Sequence, residues 1–184
     1  AMVWGGTATL DSCGTCDSDT GNNCIDVTVT ATSSTTATVS YSSEYSIAGF
    51  QFMVDGVSLS GIDSDLGETS YSPASGIALG FEFSNFTLDA GDGVLATLSF
   101  DESVDGYNMS LSGIVVSAGS GATLVSNSST TTTVTACVNI DADTLCDAID
   151  DCVGAYDDCG DCNGANAAQD DCGVCDGDGS SCST

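Results

Sequence analysis

A chain that carries 27 aspartates and glutamates, and not one lysine, arginine or histidine, has no side-chain cation with which to balance them. Whatever fold it adopts must tolerate a formal charge of −27 or draw cations from outside. Whole classes of function fall away at once. Without cations the chain cannot neutralise phosphates, so nucleic-acid binding is excluded. Anionic membrane surfaces repel it for the same reason. Without His or Lys there is no catalytic triad, no Schiff base, no Walker-type phosphate loop and no histidine-ligated metal. Only carboxylate acid/base chemistry is left.

The charge does not make it an acidic tail without a fold. Hydrophobic residues form 41% of the 184 positions and proline occurs once, at Pro73. That composition can bury a core. No run of eighteen apolar residues is present, so no membrane-spanning helix is expected. The opening AMVWGGTATL lacks the basic-then-apolar layout of a signal peptide, and the chain reads as a mature or excised one.

Cysteine and aspartate divide the chain into three. Cys13, Cys16 and Cys24 lie in a head over 1–24, the other eight of the 11 cysteines lie at or after Cys137, and none lies between. Segment 138–184 holds 12 aspartates and no glutamate. The expected organisation is a Cys-rich head (1–24), a body (25–136) and an Asp/Cys-rich tail (137–184). The body alternates with period two at Ile25–Thr30, at Ala37, Val39 and Tyr41, and at Phe50, Phe52 and Val54. Ile77, Leu79, Phe81 and Phe83 continue it, then Val94, Ala96, Leu98 and Phe100, with shorter runs through Ala136. Turn signals such as Asp55-Gly56, Ser60-Gly61 and Asp105-Gly106 separate these runs. No window carries a helical apolar stripe. The fold class is all-β, a sandwich of eight or nine short strands.

The order of VSYSSEYSIAGFQFMVDGVSL, an apolar strand pair, GDGVLATLSF and GIVVSAGSGATLV resembles the cohesin-like jelly-roll sandwiches of bacterial surface proteins. The resemblance covers 25–136. Cohesins bind dockerins through one sheet face, and nothing in these residues marks such a face. In the head, Asp11-Ser12-Cys13-Gly14-Thr15-Cys16-Asp17-Ser18-Asp19 is nearly repeated by Asp171-Cys172-Gly173-Val174-Cys175-Asp176-Gly177-Asp178 in the tail. Asp158-Cys159-Gly160-Asp161-Cys162-Asn163-Gly164 is a shorter copy. These phrases resemble the DxCGxC repeats of secreted proteins from aquatic bacteria.

The sharpest chemical motif starts at Asn139. Asn139, Asp141, Asp143, Leu145 (through its carbonyl), Asp147 and Asp150 fall at positions 1, 3, 5, 7, 9 and 12 of a calcium loop. Alternate hard oxygens let a tight turn aim several donors at one point. Thr144 stands where the turn glycine belongs, and Asp150 where a bidentate Glu belongs. The segment, continuing to Asp151-Cys152, resembles thrombospondin type-3 calcium repeats, which join such loops to disulfides. Ca2+ is the expected cofactor; the plainer alternative is a solvated acidic loop. Asp17 with Asp19, and Asp176 with Asp178, repeat a D-x-D spacing after a CxxC and are further candidates, though turn-forming aspartates do the same without metal.

The cysteines are expected to be oxidised, because an Asp/Cys-rich segment without an apolar core needs disulfides, and the odd count of 11 implies a bond outside the chain or one free thiol. Four-thiolate zinc is the alternative. Connectivity is not deducible, though CxxC partners are expected to bridge elsewhere rather than to each other. Three sequons, at Asn85, Asn108 and Asn127, agree with an extracellular site. A glycosidase pair, for instance Glu44 with Glu82, is the one enzymatic option that the composition leaves, and these read more simply as outward strand residues. The aromatics are expected mostly in the core, with a glycan-binding face as the alternative.

The reading is a non-enzymatic structural subunit of an extracellular fibre or surface assembly. Copies join head to tail through the Cys-rich ends, with Trp4 in the contact and calcium easing the repulsion. Tail followed by head reads as a near-unbroken array of the repeat, and a head-to-tail contact that does not close gives a filament. The alternative is a glycan- or protein-binding module of a larger cell-surface protein.

Overall fold

Period-two alternation becomes strand wherever one face can be buried, and that rule builds most of this molecule. The computed structural model describes residues 9–10, 16–17, 24–84, 86–126, 130–180 and 182. They contain no helix. Contacts divide the chain into two units, one of 1–102 with 106–135 and one of 103–105 with 136–184.

The first unit holds the strands. Two short ones, β1 (Thr9–Leu10) and β2 (Cys16–Asp17), pair with each other. Ten more follow: β3 (Cys24–Ala31), β4 (Thr36–Ser43), β5 (Ile47–Asp55), β6 (Leu59–Asp63), β7 (Glu68–Tyr71), β8 (Ile77–Phe81), β9 (Gly91–Phe100), β10 (Tyr107–Ala118), β11 (Thr123–Ser126) and β12 (Thr130–Val134). They run β6-β9-β4-β3-β11-β10-β5-β8-β7, with β12 also on β10. β10 stands inside this path, between β11 and β5, and carries β12 as well. Its first half pairs with β12 and its second half with β11, across a register shift between Ser112 and Val115 on the β5 side. β11 then pairs parallel with β3. The two limbs enclose one core, with Val27, Val39 and Leu98 from one and Phe52, Met109 and Val116 from the other, all essentially without solvent contact. This is an all-β sandwich.

β12 is held by hydroxyls as well as by its ladder to β10. The Val29 amide donates to Thr130 Oγ1 at 2.8 Å, and the Ala31 amide to Thr132 Oγ1 at 3.2 Å. Thr130 is buried. Its hydroxyl supplies the acceptor that a neighbouring strand's carbonyl would otherwise give.

Four expectations about the body need correction. Ile77, Leu79 and Phe81 do not face the core; Ala78 and Gly80 do, and Phe83 is 81% exposed. The cause is the Phe50 ring, stacked on Phe52 at 5.3 Å and lying over Gly80, where a β-carbon would stand 2.5 Å from it. With β5 supplying that bulk, β8 has room for only small inward residues. Val94 also points outward while Leu95 and Ala96 are both buried, because the β4–β9 register shifts between Val39 and Ser40. Ser60-Gly61 is not a turn but part of β6, which with β7 had no apolar run to announce it. Finally, among the described residues only Tyr41, Phe50, Phe52 and Phe100 are buried aromatics, whereas Tyr45, Tyr71, Phe81, Phe83, Phe86 and Tyr156 are exposed.

The second unit has almost no apolar interior. Among the described residues its buried hydrophobic ones are Cys146 and Cys152. Disulfides take the place of a core: Cys137–Cys146, Cys152–Cys162, Cys159–Cys175 and Cys172–Cys182, with Cα separations of 5.2 to 5.8 Å.

Candidate metal centre

The Cys137–Cys146 bond closes a short loop, and the Asp147 amide donates to the Val138 carbonyl at 2.9 Å to seal its base. Inside it, Asx turns fold the chain tightly. The Asp143 amide donates to Asp141 Oδ1 and the Leu145 amide to Asp143 Oδ1, at 3.4 and 2.7 Å. Ala142 takes the left-handed conformation, φ 58°, so the sharp bend falls there rather than at Thr144. Asn139 Nδ2 donates to the Asp143 carbonyl at 2.9 Å, which fixes the orientation of its amide.

Three carboxylates converge as a result. Oxygens of Asp141, Asp143 and Asp150 lie within 4.8 Å of one another. Two further facts distinguish this from an ordinary acidic surface. Asn139 Oδ1 and Asp150 Oδ2 are both shielded from solvent and have no hydrogen-bond partner. A buried carboxylate oxygen without a partner is costly unless a cation faces it. The donors are all hard oxygens, and they fit a divalent ion that takes roughly six to eight such ligands. Asp147 is used differently: its Oδ1 accepts the Ile140 amide at 2.9 Å and braces the loop. Leu145 is exposed and anchored through its amide.

Asp150 also begins a second pattern. Its Oδ1 accepts the Cys152 amide at 2.8 Å, just as Asp157 Oδ1 accepts that of Cys159 and Asp170 Oδ1 that of Cys172. Asp-Asp-Cys at 150, 157 and 170 thus opens three successive units. The cysteine of each opening bonds forward, Cys152 to Cys162, Cys159 to Cys175 and Cys172 to Cys182. Cysteines of one CxxC are never joined to each other among the described residues. No described tail cysteine is left as a thiolate for zinc.

Asp157 and Asp170 are hubs of backbone bonds. The amide of Asp161 holds the Asp157 carboxyl below its ordinary range, helped by those of Asn166 and Cys159 and opposed by partial desolvation. Val174, then Cys172 and Gly179, do the same for Asp170. Asp178 is lowered by the Ser180 hydroxyl and amide. Their oxygens are engaged by the chain itself. Asp176, left-handed at φ 51°, and Asp178 join no three-ligand group among the described residues.

Asp17 lies in β2, Cys16 with it, and Cys24 begins β3. Trp4, Cys13, Asp19, Asn85 and Asn127 lie outside the described residues. Asn108 is exposed on β10, its Oδ1 accepting the Thr133 hydroxyl at 3.4 Å. Glu82 Oε1 accepts the Phe83 and Ser84 amides at 2.7 and 2.9 Å; the Ser84 bond leads in holding it below the ordinary range. Glu44 is exposed.

No known protein family matches the sequence, and no curated protein does. Solved structures do. The chain is similar to one from a type I cohesin–dockerin complex of Clostridium thermocellum, with 11% identity, 64% of this chain and 97% of that one covered, and a TM-score of 0.48. It is similar to a non-cellulosomal cohesin of the archaeon Archaeoglobus fulgidus, with 15% identity, 61% and 91% covered, and a TM-score of 0.44. For a cohesin module of a Clostridium perfringens family 33 glycoside hydrolase the values are 15%, 61% and 96%, and 0.40. The likeness is one of fold.

Sequence reasoning missed the hubs at Asp157 and Asp170, although the thrice-repeated Asp-Asp-Cys was the signal for them. It also missed that Asp150 belongs to both patterns.

Proposed function

We propose that this chain is a non-enzymatic structural subunit of an extracellular assembly, with a calcium-held, disulfide-laddered tail through which copies join head to tail. The observation that carries the reading is the pair of shielded oxygens, Asn139 Oδ1 and Asp150 Oδ2, beside the carboxylates of Asp141 and Asp143. Calcium at this point neutralises like charges that no residue of the chain can offset. It also holds Asp150, whose other oxygen sets the first rung of the ladder. The oxidised cysteines favour a site outside the cytosol.

Head-to-tail joining draws support from the ladder itself. The first two units are each bonded forward to the next, through Cys152–Cys162 and Cys159–Cys175, and the head phrase Asp11-Ser12-Cys13-Gly14-Thr15-Cys16 has the composition of such a unit. A neighbouring copy's head supplies the next unit, with Trp4 in the contact. Such a contact is heterologous and extends without limit unless it closes into a ring.

The test is electron microscopy of the purified chain in calcium and after chelation, beside calorimetry with CaCl2. Fibres that need calcium, with saturable calcium binding, are the expected result. A monomer at every calcium level rejects the assembly, and an absence of calcium heat rejects the metal centre.

A further inference from the structure

The tail uses up its own cysteines. Four disulfides engage all eight from Cys137 onward, so of the 11 in the chain only Cys13, Cys16 and Cys24 remain, all in the head. Three cannot pair completely among themselves, and no tail thiol is spare to complete them. The order of the ladder says which one is left over. Each of its rungs joins an opener, the cysteine of Asp-Asp-Cys, to a receiver further along. The receivers Cys162 and Cys175 are each the second cysteine of a CxxC whose first is the next opener. Both are seated alike, paired antiparallel with the residue six positions earlier, Tyr156 for Cys162 and Gln169 for Cys175. The head repeats this seat. Leu10 pairs antiparallel with Cys16, again six positions apart, and Cys16 is again the second cysteine of a CxxC. Cys16 therefore stands in a receiver's place. The opener of its own unit, Cys13, is excluded as its partner by the rule that the tail obeys, which joins each opener to a cysteine beyond its own CxxC.

Cys182 is the odd member at the other end. It closes on the last opener, Cys172, but Gly179 stands three positions before it, where the other two receivers have a cysteine. Among the described residues it has no strand-like pairing; its amide donates to the Gly179 carbonyl at 3.2 Å, and the residue is exposed. Cys24 is its counterpart in the head, with Gly21 three positions before it, and closes on Cys13 by the same rule. We propose that Cys16 receives Cys172 of a neighbouring copy by thiol–disulfide exchange. The proposal rests on the head-to-tail reading and gives that junction a covalent bond. The Cys16 thiolate attacks Cys172 Sγ of the neighbour and the Cys172–Cys182 bond breaks. Cys182 leaves as a thiolate and takes up the proton that Cys16 gave up. One disulfide replaces another, so no oxidant is needed, and each interior chain of a fibre keeps one thiol, moved from Cys16 to Cys182. The seat favours the exchange: Cys182 only closes a loop of its own chain, whereas Cys16 brings a whole unit in the register of the two before it.

The test takes the full chain, disulfides formed and calcium in excess, to denaturing gels without reductant and to peptide mapping after thiol alkylation. Monomer should carry the alkyl label on Cys16. Assembled material should carry it on Cys182, give a series of oligomers that reductant collapses, and yield a Cys16–Cys172 peptide. Mixing isotope-labelled and unlabelled copies shows that this peptide joins two chains. Alkylating the monomer beforehand should abolish the oligomer series, and so should Cys16→Ser, while the four tail disulfides stay as they are. Fibres that fall to monomers in denaturant without reductant, with Cys172–Cys182 intact, overturn the exchange and leave the head-to-tail reading standing. Cys16 found bonded to Cys13, to Cys24 or to any cysteine other than Cys172 overturns it as well. A chain that forms no assembly in calcium overturns both.

Discussion

Asp157 and Asp170 hold equivalent posts in consecutive units. Each takes the amides of the residues two and four positions on at one oxygen, and that of the residue nine positions on at the other: Cys159, Asp161 and Asn166 for the first, Cys172, Val174 and Gly179 for the second. The conformation repeats too, with Asn163 and Asp176 both left-handed, at φ 55° and 51°. A side chain thus does within each unit what a ladder does in a sheet.

Acid should therefore loosen the tail before the sandwich. Both carboxyls titrate below their ordinary value in the folded chain. Their contribution is whole above the unfolded value, about 3.9, and is lost as the pH falls through the lower folded values. Hydrogen exchange followed from pH 5 to pH 2.5 should show the amides of Asp161 and Val174 losing protection while those of β3 and β4 keep it. Asp157→Asn should bring the first loss to higher pH. Loss of both regions together contradicts the assignment.

At the metal centre, Asp150→Asn should weaken calcium binding by at least about tenfold, because it removes charge from an oxygen with no other partner. Asp147→Asn should cost much less, since the substituted side chain keeps an Oδ1 for the Ile140 amide. Calorimetry on the two variants decides. Equal losses would make Asp147 a ligand of the same rank.

In the sandwich, Phe52→Ala should lower stability by about 3–5 kcal/mol, the cost of a large cavity at a fully buried ring. It also removes the partner on which Phe50 stacks. Urea unfolding followed by tyrosine fluorescence gives the number. The four tail disulfides should still form, which peptide mapping checks.

Thr130→Val should cost about 1–3 kcal/mol, because the Val29 amide then loses its buried acceptor. Thr130→Ser, which restores the oxygen, should recover most of it. Exchange at the Val29 amide reads the bond directly, and unchanged protection in Thr130→Val would show that another acceptor takes over.

Alternation by itself was enough for β3, β4 and the Phe50–Phe52–Val54 stretch of β5, where inward positions carry Val, Tyr and Phe at period two. It failed for β6 and β7, which are short and polar, and gave the wrong face of β8. Period two fixes only that two faces exist; which one is buried depends on the neighbour, and Phe50 had already filled the space over Gly80. The Asn139–Asp150 spacing picked out a segment in which the carboxylates of Asp141, Asp143 and Asp150 converge. It could not tell the converging carboxylates from the bracing Asp147, because that depends on where the Ile140 amide lies.

Composition alone settles the rest of what can be read without coordinates. With no side-chain cation, the chain must handle its charge by dispersing it, bonding it to amides or meeting it with ions from outside. Its clustered cysteines and aspartates mark where an apolar core is missing. Folding then assigns each carboxylate to one of those three fates. Asp157 and Asp170 go to backbone amides, while Asp141, Asp143 and Asp150 converge. Folding likewise sends Leu79 and Phe81 to the outer face of β8. These outcomes rest on distances between residues far apart in the chain, and no local pattern encodes them.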